Sequence, residues 1–131
     1  MTFAHLTIAT RDAAATSRFY QNTFQWRQLH MPGNIEIDAD WLEMVPGQQI
    51  HILQIENFEP SPFEEEFGRH LALFHPADDF DALRQRLVDN GAEIIPPIRE
   101  TPFPRFFFRD PNGYMVEVIN QDAYRVENSE K

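Results

Sequence analysis

The chain of 131 residues contains no cysteine, so neither disulfides nor thiolate metal ligands are available to it. Any metal it holds must be bound through nitrogen and oxygen donors. The absence also fits a reducing, cytoplasmic setting. No apolar run reaches the roughly 18 residues needed for a helical membrane span, so no membrane role is expected. The first residues enter a strand-like segment without the basic and apolar stretches of a secretory signal. Positive charge is scarce: 11 Lys and Arg stand against 21 Asp and Glu, a formal net charge of −10. Nucleic-acid binding needs a basic footprint, which this balance does not provide. With no Cys and no Ser-His-Asp pattern of useful spacing, acyl-transfer chemistry also lacks support.

Apolar residues make up 42% of the chain, with 12 Phe, enough for one domain or for two small modules sharing a core. The two halves repeat each other. Ala4-His5-Leu6-Thr7-Ile8 opens the first, and Arg69-His70-Leu71-Ala72-Leu73 opens the second. Each half closes on a glycine turn and a strand, Gly47-Gln48-Gln49-Ile50-His51-Ile52-Leu53 and Gly113-Tyr114-Met115-Val116-Glu117-Val118-Ile119. His51 follows His5 by 46 positions and Glu117 follows His70 by 47. A duplicated unit carrying His/His and then His/Glu predicts one metal centre, with His5, His51, His70 and Glu117 as ligands. Two His and one carboxylate form a facial set suited to Fe(II) or similar ions; Zn, Ni, Co and Mn are equally compatible. His51 reads either as a ligand or as an acid–base group beside one.

Hydrophobic periodicity predicts strands over 3–9, 26–31, 35–45 and 49–56, with a helix from Asp12 to about Phe24. In the second half it predicts strands over 69–75, 92–98, 104–109 and 114–120. A helix there starts near Pro76 and Asp78 or Asp79 and stops at Asn90-Gly91. The order β-α-β-β-β occurs twice, which makes the class α+β. The organisation is therefore one domain over 1–131: a module at 3–56, a linker at 57–68, a module at 69–120 and a frayed polar tail at 121–131. The glutamates at 64–66 read as a solvated face, and His30 and His75 as ordinary residues.

Asp110-Pro111-Asn112-Gly113 suits a type I turn closed by a glycine bulge. That register pairs Asp110 with Tyr114 and sets Phe107 opposite Glu117. Arg105, Phe107, Arg109, Met115 and Glu117 then share one face, with Phe106, Phe108, Val116 and Val118 on the other. The same register around Gly47 sets Trp41 opposite His51. Trp41 and Phe107 would wall the metal-bearing face, with Arg105 and Arg109 placed to hold a substrate carboxylate. A slip of one residue would turn every side chain over.

These stretches, together with Arg18-Phe19-Tyr20 and Arg109-Asp110-Pro111-Asn112-Gly113-Tyr114, resemble the vicinal oxygen chelate superfamily over residues 3–120. That group includes glyoxalase I, bleomycin and fosfomycin resistance proteins and extradiol dioxygenases. The resemblance implies a half-barrel of two βαβββ modules, as in the glyoxalase/bleomycin resistance/dihydroxybiphenyl dioxygenase fold. It implies a divalent ion whose coordination is completed by oxygens of a small-molecule substrate, and frequent homodimers. The first strand and the last strand of each module supply the ligands, which again selects His5, His51, His70 and Glu117. The activity implied is a metal-dependent lyase or isomerase of the glyoxalase type, with Glu117 or His51 moving the proton. An extradiol-type ring-cleavage dioxygenase and a non-enzymatic binding or resistance protein are the alternatives. Against the dioxygenase, Phe107 stands where that signature has a Tyr.

Overall fold

The structure, a computed structural model, describes residues 1–129. It divides into two compact units, Met1–Glu59 and Pro60–Lys131. In the first, β1 (His5–Thr10) is followed by α1 (Ala13–Thr23), β2 (Arg27–Gln28), β3 (Ala39–Val45) and β4 (Gln48–Gln54). In the second, β5 (Leu71–His75) is followed by α2 (Ala77–Asp89), β6 (Glu93–Ile95), β7 (Arg105–Arg109), β8 (Met115–Asn120) and α3 (Gln121–Ser129). No helix among the described residues is long and apolar enough to cross a membrane.

Each unit holds one open four-stranded sheet, ordered β1-β4-β3-β2 and β5-β8-β7-β6. This corrects the half-barrel expectation, because neither sheet closes or curls into a barrel. Closure requires the two outer strands to pair with the correct shear. Here β1 pairs with β4 alone, and β2 is a two-residue strand bonded to β3 alone. The second sheet likewise ends on the three-residue β6. The sequence pattern overestimates these strands: of the expected 26–31 only residues 27–28 pair, and of 35–45 only 39–45 do. Pro32-Gly33 interrupts the run, and proline leaves no donor for a ladder. The tail also differs from expectation, since residues 121–129 form α3.

Local chemistry explains the elements. Asp12 caps α1 by accepting the Ala15 N–H at 2.9 Å. The helix buries Phe19 and Tyr20, against which the helix-facing Leu42, Ile50 and Ile52 of the sheet are also buried. Each such side chain stabilises the unit by about 1.5–3 kcal/mol. Asp40, buried on the same face, accepts from the Ser17 hydroxyl, through both oxygens from the Gln28 amide nitrogen at 2.9 and 3.0 Å, and from the Trp41 N–H. A buried carboxylate without a cation is tolerated when its lone pairs are satisfied in this way. In the second unit the helix-facing core is Phe80, Leu83, Leu87, Phe106, Phe108, Val116 and Val118. The free Ala77 N–H at the start of α2 is met by Asp122 of α3 at 2.8 Å.

The two hairpins carry the expected registers. Phe107 pairs with Glu117, and Trp41 pairs with His51. Gly113 N–H donates to the Asp110 carbonyl and Asp110 N–H to that of Tyr114, both at 3.0 Å, with Gly113 at φ 91°. The Asp110 side chain accepts the N–H groups of Asn112 and Tyr114 at 2.9 Å, which makes the turn rigid. The parallel ladders show how closely the halves correspond. Thr7, two residues past His5, pairs with His51; Ala72, two residues past His70, pairs with Glu117.

Candidate functional site

In the first unit the face away from α1 carries a column of three rings. The indole of Trp41 stacks on the imidazole of His51 with centroids 3.8 Å apart and planes at 3°. His51 stacks in turn on His5, at 4.0 Å and 14°. The register is responsible: Trp41 and His51 are opposite residues, whose side chains stand about 5 Å apart on one face, and His5, two residues before His51's partner Thr7, lies on that same face. His51 is buried, and its Nε2 lies 2.8 Å from the Gln49 amide oxygen. An amide oxygen only accepts, so Nε2 carries the proton and Nδ1 the lone pair. Burial first, and the neighbouring His5 second, lower the His51 pKa from its ordinary value. The ring is therefore neutral at neutral pH. Parallel rings hold their lone pairs in parallel planes, so His5 and His51 chelate a common ion only if one turns out of the stack.

In the second unit the corresponding face carries His70 and Glu117. His70 Nδ1 lies 3.2 Å from the Glu65 carbonyl, and its Nε2 lies 3.2 Å from Glu117 Oε1. The carbonyl can only accept, so Nδ1 is the donor and Nε2 of the neutral ring presents a lone pair to a carboxylate oxygen. Two acceptors facing each other call for a positive charge between or upon them. Donors sharing one ion at about 2.1 Å, at tetrahedral to octahedral angles, stand about 3.0–3.4 Å apart. The observed separation fits that spacing. The donor on the opposite side of the ring from the ion is the usual arrangement around a metal-binding histidine.

Glu117 Oε2 is already committed. Arg105 donates to it through Nη1 at 3.0 Å and, through Nη2, to Glu66 Oε2 at 3.2 Å and to the Arg99 carbonyl. The Arg105 side chain is only 3% exposed, and its Nε has no acceptor among the described residues. Its guanidinium lies 5.4 Å from the centre of the Phe107 ring, and that ring meets His70 edge-on at 5.2 Å. Glu66 also accepts the N–H groups of Ile98 and Arg99 at 2.7 and 2.9 Å. Burial alone would raise the Glu66 pKa, but these two amides and Arg105 outweigh it and leave it lowered.

The solvated-face reading of residues 64–66 is therefore corrected: Glu64 and Glu66 are buried, and Glu65 alone is exposed. Glu64 accepts from Arg69 through both oxygens, at 2.9 and 2.8 Å, and from the Met115 N–H at 2.8 Å. In the first unit the equivalent amide, that of Gln49, bonds to the Ala4 backbone carbonyl instead. Glu65 receives Arg109 at 3.1 Å, and Arg109 also donates to the Glu64 and Gly113 carbonyls. Arg105 and Arg109 are thus engaged by the protein's own acceptors. The sequence carried a signal for this: two arginines on the same strand face as a buried carboxylate need further acids, and three stand together nearby. Of the other histidines, His30 is exposed and His75 bonds Asp79 at 2.8 Å.

Among the described residues no group of three or more His, Cys, Asp or Glu side chains forms a metal-binding cluster. The four expected ligands fall into two pairs, His5 with His51 in one unit and His70 with Glu117 in the other. A family model described as the Glyoxalase/Bleomycin resistance protein/Dioxygenase superfamily matches residues 2–118. The chain belongs to this superfamily. Within it, Glyoxylase I 4 of Arabidopsis thaliana is 22% identical over 128 residues, covering 93% of this chain and 72% of that protein. A glyoxalase family protein from Bacillus anthracis superposes with a TM-score of 0.74 at 23% identity, over 92% of this chain and 94% of the other. Fosfomycin resistance protein FosX from Listeria monocytogenes, in a variant complexed with Mn(II) and 1S,2S-dihydroxypropylphosphonic acid, gives 0.72 at 18% identity, over 91% of both chains. At these identities the superpositions establish the superfamily fold.

Proposed function

We propose that the protein is a divalent-metal-dependent enzyme of glyoxalase type, acting on a small substrate whose oxygens complete the ion's coordination. The observation that carries this reading is the His70–Glu117 pair. Nδ1 and Oε2 are engaged elsewhere, and Nε2 and Oε1 face each other at a spacing that suits a shared cation. The similarity to Mn(II)-complexed FosX supports the same class of cofactor. The donors for the ion at this pair are His70 Nε2 and Glu117 Oε1, nitrogen and oxygen, which suits Mn, Fe, Co, Ni or Zn.

Bound there, a divalent ion would supply Lewis acidity to a coordinated substrate oxygen. The remaining work belongs to the side chains. Arg105 holds one oxygen of Glu117 and leaves the other facing His70 Nε2, the two atoms that would hold an ion. In the first unit His51, neutral and gripped between Trp41 and His5, offers its Nδ1 lone pair as a base. The stacking favours this acid–base role over ligation for His51. Trp41, half-buried, offers aromatic surface in the first unit, whereas Phe107 is fully buried and backs the Arg105 guanidinium and the His70 ring in the second.

Elemental analysis of the purified protein and of a His70→Ala variant tests the reading. Stoichiometric metal in the parent and its loss in the variant are expected. Near-zero metal in both overturns the enzyme reading in favour of a binding protein. Oxygen uptake with a panel of catechols, if observed with the loaded protein, would move the assignment to a ring-cleavage dioxygenase.

A further inference from the structure

We infer that Glu66 is a positioning residue that keeps Arg105 from closing a two-pronged pair with Glu117, and so preserves one carboxylate oxygen for a cation. The inference rests on the metal-dependent reading above. A guanidinium beside a carboxylate tends to engage both of its oxygens in a parallel fork. Such a fork on Glu117 would neutralise Oε1 together with Oε2 and leave nothing for an ion. Instead the Arg105 fork is split. Nη1 goes to Glu117 Oε2 at 3.0 Å, and Nη2 goes to Glu66 Oε2 at 3.2 Å and to the Arg99 carbonyl.

Glu66 is fitted for this task. It comes from the segment before β5, far in sequence from Arg105, and its side chain is 6% exposed. The Ile98 and Arg99 amides hold one oxygen each, at 2.7 and 2.9 Å, so the carboxylate stays put whatever Arg105 does. The charge balance points the same way. Two buried carboxylates share one guanidinium, so Glu66, Arg105 and Glu117 together carry one uncompensated negative charge. Glu117 Oε1, 3.2 Å from His70 Nε2, is where that charge meets a ring nitrogen able to share a cation. Without Glu66 the three-member group becomes a neutral closed pair, and the attraction for a cation falls.

The test is Mn(II) binding measured by calorimetry and by the free-ion paramagnetic resonance signal, on metal-stripped full-length protein. The variants are Glu66→Gln, Arg105→Lys and His70→Ala, each checked for native circular dichroism. Glu66→Gln retains shape and loses charge; Arg105→Lys retains charge and loses the two-ended fork. Glu66→Gln is expected to weaken Mn(II) binding about 10–100-fold, the range typical when a partner behind a ligand is removed. Arg105→Lys, which cannot close a fork on Glu117, is expected to keep binding near that of the parent. His70→Ala is expected to abolish it. Should Glu66→Gln not fold, Glu66→Asp, with its carboxylate drawn back from Arg105, carries the same decision. Parental affinity in the folded Glu66 variant, with loss in His70→Ala, overturns this inference and leaves the metal reading intact. Parental affinity in His70→Ala overturns the metal reading itself. A purely structural role would lower the melting temperature and leave Mn(II) affinity of the folded protein unchanged.

Discussion

His51 lies between an indole and a second imidazole, and its proton affinity answers to its surroundings. Burial is the larger cause of its lowered pKa, and His5 the smaller. In metal-stripped protein, the His51 ring proton followed by NMR is expected to titrate with a midpoint below 6.5, the ordinary value. A His5→Gln variant should move that midpoint up without restoring 6.5, because the burial contribution remains. A parental midpoint at or above 6.5 would remove His51 as a neutral base. The linkage has a definite sign. The unfolded chain takes up the proton first as pH falls, so the contribution to stability is complete above the ordinary value and is lost below it. At this scale the sequence names candidates and is silent about their orientation. The repeat singled out His5, His51, His70 and Glu117, whereas the ring column and the engaged second oxygen of Glu117 depend on contacts that no spacing reveals.

At the scale of elements, the first turn of α2 is tied down by charge. Asp79 accepts the Arg86 fork at 3.0 and 2.6 Å and His75 at 2.8 Å. Arg86 first, and His75 second, hold the Asp79 carboxyl well below the usual carboxylate range. Its side chain is 40% exposed, so solvent screening keeps the contribution to about 0.5–1 kcal/mol. Asp79→Asn should lower the urea midpoint at pH 7 accordingly. A depressed carboxylate stabilises the fold above its unfolded pKa, about 3.9, and less as pH falls. The gap between parent and variant should therefore narrow on titrating toward pH 3; an unchanged gap would assign the effect to helix propensity. Elements with clear periodicity and a turn marker were legible from the chain alone, including both hairpin registers. The segment before β5 was not. Its glutamates read as solvated because their partners other than Arg69, namely Arg105, Arg109 and the amides of 98, 99 and 115, lie more than thirty positions onward.

For the whole molecule, the balance of 21 acids against 11 bases dominates behaviour in solution. The calculated isoelectric point is about 4.8, so turbidity at fixed protein concentration should peak near that pH and fall on either side. A peak displaced toward neutrality would indicate that a bound cation offsets part of the charge. The duplicated plan of the chain was legible because both copies keep the same order of elements. The openness of each sheet was not, since it depends on how many residues of β2 and β6 actually pair.

The copies differ most plainly where Glu64 meets the Met115 amide while main chain meets that of Gln49. A peptide carbonyl persists through any substitution; a carboxylate disappears with a single codon change. The two halves have therefore ceased to be interchangeable parts. Drift can unmake in the second copy a rung that is beyond its reach in the first.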